Sequence, residues 1–107
     1  MLNTHKSEKF NVTTQVHGET CTAFLYGELD LAVAHDFRKL MEPLVDNKDR
    51  VLELNLKDLH YMDSTGIGIL LSILKVRHGM QAKLLVSEVP PKIQKLFEMT
   101  GIAKFFA

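Results

Sequence analysis

Between Leu52 and Val76 the hydrophobic period changes once, and that change constrains the fold more than any other feature. Leu52, Leu54 and Leu56 alternate with Glu53 and Asn55, the spacing of a strand with one buried face. The segment Asp58 to Asp63 leads into a turn, and Ser64-Thr65-Gly66 then opens an apolar helix that ends near Gly79, read as a C′ glycine. A strand that hands over to a helix and is followed by another strand forms a crossover unit, which normally returns right-handed to a parallel neighbour. The chain is therefore expected to be built on a sheet that is at least partly parallel.

The flanking segments extend this pattern. Phe10, Val12, Thr14 and Val16 alternate with Asn11, Thr13 and Gln15, and Cys21 to Tyr26 follow a break at Gly18, which predicts two strands joined as a hairpin. Val33, Phe37, Leu40, Met41, Leu44 and Val45 form one stripe at helical spacing, and Pro43 is expected to interrupt or kink that helix. A short fourth strand is predicted from Lys83 to Val86. Pro90 and Pro91 suit the first turn of a further helix with Ile93, Leu96 and Phe97 on one face and Gly101 at its end. The apolar tail Ile102 to Phe106 is expected to dock. The reading is an α/β fold: one domain over 1–107, with a mixed sheet of about four strands packed with three to four helices.

Composition narrows the function classes. The chain has 107 residues, 46% of them hydrophobic, enough for a single core. Its 13 basic and 13 acidic residues cancel, so it lacks the positive field that drives non-specific nucleic-acid or anionic-membrane binding. Neither partner is expected. The most apolar run, Ile67 to Val76, contains Ser72 and Lys75 and is half the length of a membrane span, which takes about 20 residues. Met1 to Phe10 is polar, without the apolar core of a signal peptide, and export is not expected. Cys21 is the single cysteine, which excludes an internal disulfide and fits a reducing cytosol. His5, His17, His35, His60 and His78 show no metal-ligand spacing, so no metal or cofactor is expected. Met41 and Met99 read as core fillers, leaving Met62 as the methionine expected to touch a partner.

The stretch Tyr61-Met62-Asp63-Ser64-Thr65-Gly66-Ile67-Gly68 admits three readings. In the local one, Asp63 or Ser64 caps the helix by accepting a backbone N–H, and Gly66 and Gly68 let the helix pass close to the sheet. In the second, the helix N-terminus holds a nucleotide phosphate. Against this, Gly66-Ile67-Gly68 is followed by Ile69-Leu70-Leu71, so the third glycine of a dinucleotide fingerprint is missing and no P-loop spacing is present. In the third, Ser64 is an enzyme nucleophile with His60 as the nearby base, but Met62 stands where the hydrolase elbow requires glycine.

The same residues carry a family resemblance. Leu56 to Gly68 resembles the signature of the anti-sigma factor antagonists, small STAS domains of Gram-positive bacteria. Gly27-Glu28-Leu29-Asp30 resembles their other motif, and Leu96 to Ile102 their C-terminal helix. Asp-Ser-Thr-Gly is most similar to the RsbV-type proteins of the general stress response, with Ile67 in place of a commoner leucine. The resemblance implies a non-enzymatic regulator. Its unphosphorylated form would bind an anti-sigma factor that is also a serine kinase of the histidine-kinase-like ATPase fold, and so release a sigma factor. The kinase would phosphorylate Ser64, and a metal-dependent PPM-type phosphatase would reverse this. Asp30, Met62, Asp63, Ser64, Thr65, Gly66, Ile67 and Gly68 would form the partner-binding rim. The alternative is a non-switching STAS scaffold in which Ser64 only caps its helix.

Simple electrostatics indicates how one phosphate would act. Phosphoserine adds about −1.5 to −2 charges, and a helix N-terminus favours an exposed anion by about 0.3–1 kcal/mol. Asp63 opposes it, as does Asp30 if the two loops lie side by side, since unit charges about 5 Å apart repel by roughly 3 kcal/mol at an effective dielectric of 20. The phosphate is thus expected to act on docking rather than on the fold. Asp30 has its own local reading as a helix N-cap, and Asp46-Asn47-Lys48-Asp49-Arg50 reads as a solvated loop.

Overall fold

The computed structural model describes residues 9–106. Strands β1 (Phe10–His17) and β2 (Thr20–Leu29) form the expected hairpin, closed at Gly18-Glu19. A 3-10 turn (Leu31–Val33) leads into α1 (Ala34–Asp46). The remaining elements are β3 (Val51–Met62), α2 (Ser64–Gly79), β4 (Leu84–Ser87), α3 (Pro91–Thr100) and a second 3-10 turn (Ile102–Phe105). The sheet order is β1-β2-β3-β4, with β1 antiparallel to β2 and the other two pairs parallel. This is the mixed four-stranded sheet the sequence predicts, with three α-helices.

One cluster of buried side chains holds the layers together. Ala23, Leu25 and Leu29 of β2 and Leu52, Leu54, Leu56, Leu59 and Met62 of β3 supply the sheet side. Phe37, Met41 and Val45 of α1, Ile69, Leu70 and Ile73 of α2, and Ile93 and Phe97 of α3 supply the helix side. Fully burying an aliphatic or phenyl side chain of this kind is worth about 1.5–3 kcal/mol, so the cluster is the main source of stability. The other sheet face remains open, with Phe24 and Tyr26 partly exposed.

Several local expectations change. Helix α1 runs through Pro43, whose ring is exposed while Met41 and Val45 on either side are buried. β3 itself continues through Asp58 to Met62, so the segment expected to lead into the turn is strand almost to its end. The strand keeps pairing with β2 because it absorbs two extra residues, one between the Phe24 and Tyr26 pairs and one between Gly27 and Glu28. Each extra residue breaks the alternation, so the inward positions run Leu56, Leu59, Met62 instead of every second residue. Gly79 lies inside α2, and the left-handed residue beyond the helix is Gln81, with φ 59°. Gly101 does take the left-handed conformation at the end of α3, φ 83°. Met99 is 75% exposed and fills no core, whereas Met41 does. Cys21 is buried, as expected of a small apolar residue.

Arg77, near the C-terminal end of α2, is fully buried without a carboxylate. Its Nη1 donates to the carbonyls of Val45 and Asn47 at 3.0 Å each, and its Nη2 to those of Arg50 and Lys83 at 2.6 and 2.7 Å. Two of these carbonyls belong to the C-terminal end of α1, where the helix dipole favours a cation. The side chain thereby ties the α1–β3 loop to the start of β4. That loop is exposed, as its charges suggested, but its backbone is pinned.

Candidate functional site

The β3–α2 corner is organised by Asp63. Its Oδ1 accepts the N–H of Gly66 at 3.0 Å, the N-cap bond of α2, and its backbone carbonyl accepts the N–H of Ile67 at 3.1 Å. Its Oδ2 accepts the N–H of Leu31 at 3.2 Å, and its own N–H donates to the Leu29 carbonyl at 3.3 Å. One carboxylate therefore caps its helix and holds the β2–α1 loop beside it. The two loops do lie side by side. Gly66 makes the approach possible, since a Cβ there would sit 2.6 Å from Met62 Cγ and 2.9 Å from the Leu29 carbonyl oxygen.

Asp30 also serves a local role. Its Oδ1 accepts the N–H of Ala32 at 3.0 Å and so caps the first 3-10 turn. Its Oδ2 is 2.6 Å from Lys9 Nζ. Lys9 reaches this position because its backbone runs over Gly27, where its carbonyl accepts the N–H of Glu28 at 2.8 Å. A Cβ at Gly27, whose φ is 96°, would overlap that carbonyl oxygen, so only glycine allows the crossing. The hydrogen bond from Lys9 holds the Asp30 carboxyl below its ordinary pKa, and the same bond, with smaller contributions from Glu28 and Asp63, raises that of Lys9.

The residues expected at the partner-binding rim separate by depth. Ser64 and Gly68, one helical turn apart, are exposed; Asp30, Asp63, Thr65 and Ile67 are half-buried. Met62 is 4% exposed and Gly66 is also buried, so neither presents atoms outward. Met62 is a core residue, not the contact methionine the sequence suggested. Gly68 also departs from its expected role, because a Cβ there would meet nothing within 4 Å. It is not needed for packing against the sheet. Sequence reading passed over Lys9 and Leu31. Leu31 is 72% exposed beside Asp30, and the signal for it was an apolar residue directly after the Gly27–Asp30 motif.

The corner offers an exposed serine next to Asp63, whose carboxylate also holds the loop that carries Asp30. The His60 ring packs edge-on against Tyr26 at 5.6 Å, and no hydrogen bond joins it to Ser64 among the described residues. His60 is therefore not placed as a base for Ser64. Two cavities of about 250 and 530 Å³ lie elsewhere, between α1 and α2 and between α2 and the second 3-10 turn. No group of three or more His, Cys, Asp or Glu is arranged to hold a metal ion among the described residues. Nor, among them, is any helix long and apolar enough to cross a membrane.

Fold and site together define a class: a small mixed-sheet α/β domain whose exposed polar corner joins a parallel strand to a helix. The STAS domain family model matches residues 11–107, and the chain belongs to that family. It is 29% identical over 92 residues to the anti-sigma-B factor antagonist of Staphylococcus aureus (strain NCTC 8325 / PS 47), covering 86% of this chain and 85% of that protein. The fold is similar to an anti-sigma factor antagonist from Mycobacterium paratuberculosis, with a TM-score of 0.82 at 19% identity over 92% of this chain and 83% of that one. It is also similar to the phosphorylated form of the Bacillus cell fate determinant SpoIIAA, with a TM-score of 0.68 at 23% identity over 90% and 86% of the respective chains.

Proposed function

We propose that this chain is an anti-sigma factor antagonist whose docking surface is the β3–α2 corner and whose switch is phosphorylation of Ser64. The relative in Staphylococcus aureus carries the antagonist name, and a structural neighbour is described in a phosphorylated form. The observation that carries the reading to a residue is the exposure of Ser64 beside Asp63 and the Asp30 loop. In this reading residues 1–107 act as one cytoplasmic STAS domain without enzymatic activity of its own. The partners are an anti-sigma serine kinase of the histidine-kinase-like ATPase fold and a metal-dependent PPM-type phosphatase.

The mechanism follows from what each residue is bonded to. Asp63 accepts a backbone N–H on each carboxylate oxygen, so it fixes the loops around the serine. In this reading the kinase supplies the ATP and the base. Leu31 gives the rim an apolar contact, and Gly68 leaves the helix surface beside Ser64 bare for close approach. A phosphate on Ser64 would meet a favourable helix end and a larger carboxylate repulsion, but Ser64 is exposed, so water and salt screen most of that repulsion and the fold is little changed. In an interface it would be an uncompensated charge, which costs several kcal/mol.

The test is phosphorylation by the anti-sigma kinase of the same genome, read by mass spectrometry and peptide mapping. One phosphate on Ser64 is expected. Modification of Thr65 instead would sink the Ser64 assignment, and no modification of a chain that binds the kinase would favour the scaffold alternative.

A further inference from the structure

The four carboxylate oxygens of Asp30 and Asp63 are all engaged, but not in the same way. Both oxygens of Asp63 and Oδ1 of Asp30 accept backbone N–H groups, which the fold holds in place. Asp30 Oδ2 is held by Lys9 Nζ, at the end of a flexible side chain that is 43% exposed. It is the one oxygen of the four whose donor can leave without any backbone moving. Lys9 is brought there by the Gly27 crossing, so the pair is a product of the fold and not of chance proximity in sequence.

We infer that Lys9 is a placeholder: it occupies the Asp30 oxygen that receives a cationic side chain of the partner, and docking displaces it. This rests on the reading of the corner as the kinase-docking surface. An arginine of the partner is favoured over a lysine, because its planar fork can take Oδ2 and share the remaining lone pairs of the carboxylate. The charges of Glu28 and Asp63, which already act on the Lys9 ammonium, favour its staying near the corner once displaced. Masking of this kind weakens docking modestly, and it makes the affinity depend on a residue that never touches the partner in the complex.

The experiment is a double-mutant cycle of Lys9→Gln and Asp30→Asn, read by calorimetric titration against the anti-sigma kinase of the same genome, with Ser64 phosphorylation followed in parallel. Lys9→Gln should bind about two- to fivefold more tightly than the unaltered chain, the range an exposed ion pair spans. Asp30→Asn should weaken binding, and adding Lys9→Gln to it should then bring no gain. Lys9→Arg, whose fork holds Asp30 at least as firmly, should bind no more tightly than the unaltered chain. NMR titration of the Asp30 carboxyl, low in the free chain, should move up in Lys9→Gln and return when the kinase is added. Unchanged or weaker binding by Lys9→Gln, or a gain that persists in the Asp30→Asn background, would overturn the placeholder role while binding and phosphorylation of the unaltered chain still stood. If the unaltered chain neither binds nor is phosphorylated, the functional reading falls and the placeholder with it.

Discussion

The two ends of α2 use opposite chemistry to opposite purposes. At the N-terminal end a carboxylate, Asp63, accepts N–H groups from its own helix and from the β2–α1 loop, and the surface above it stays open at Ser64 and Gly68. At the C-terminal end a guanidinium, Arg77, donates to four carbonyls from three segments and is closed off from water. Both follow the dipole, anion at the start and cation at the end. The difference is burial: the closed end serves stability, and the open end has room to change charge without unfolding.

The sharpest way to break this contrast is at the closed end. Arg77→Ala leaves four buried or half-buried carbonyls without donors, and at about 1 kcal/mol or more each it should cost at least roughly 3 kcal/mol in urea unfolding. Binding of the kinase by the remaining folded fraction should be unaffected. Ser64→Glu should show the reverse, with unfolding within about 0.5 kcal/mol of the unaltered chain and kinase binding weakened by about tenfold or more, whereas Ser64→Ala should still bind. Asp63→Ala lies between the two. It should lose about 1–2 kcal/mol as a missing cap and also slow Ser64 phosphorylation, because the Leu31 loop is released.

The smallest effect is the most discriminating. Gly68→Ala should raise stability by about 0.5–1 kcal/mol, since glycine is costly inside a helix and the new methyl meets nothing. If the bare surface serves the kinase, phosphorylation of Ser64 should fall in the same variant. Gly79→Ala, also in α2 and with equally open space, provides the control and should leave phosphorylation unchanged.

The ion pair at the rim sets the pH behaviour. Asp30 has a lowered pKa in the folded chain, so its contribution is present above the ordinary carboxylate value and is lost as pH falls through the lowered one. Lys9 has a raised pKa, so its contribution is lost as pH rises through that raised value. Between about pH 5 and 9 stability should therefore show no step from this pair, whose two ordinary pKa values are about 3.9 and 10.4.

Much of this was legible because local pattern and tertiary packing agree. The hairpin, the α1 stripe, the Pro91 start and Gly101 end of α3, and the strand-to-helix serine all follow from period and punctuation. What failed was context carried by distant parts of the chain. Past Leu56 the strand stops alternating because its register to β2 shifts, and nothing local distinguishes that from a turn. Met62 sits beside Ser64 in sequence but points inward for the same reason. Lys9 and Arg77 acquire their roles only when β1 crosses Gly27 and when two loops converge on one guanidinium. Gly68 has the opposite history: its place in the site was expected, but not that the fold makes no demand for it.

The two extra residues of β3 also set a parity. From the Phe24–Asn55 pair to the Leu29–Met62 pair, β2 takes five steps while β3 takes seven, and Met62 again faces inward. A single deletion in this half of β3 would reverse the facing of everything after it, burying what Tyr61 now shows to solvent and turning the serine corner away from the Asp30 loop. Among related chains, insertions and deletions here should therefore occur in pairs, or be matched by a change in β2, even where the residues themselves are free to drift.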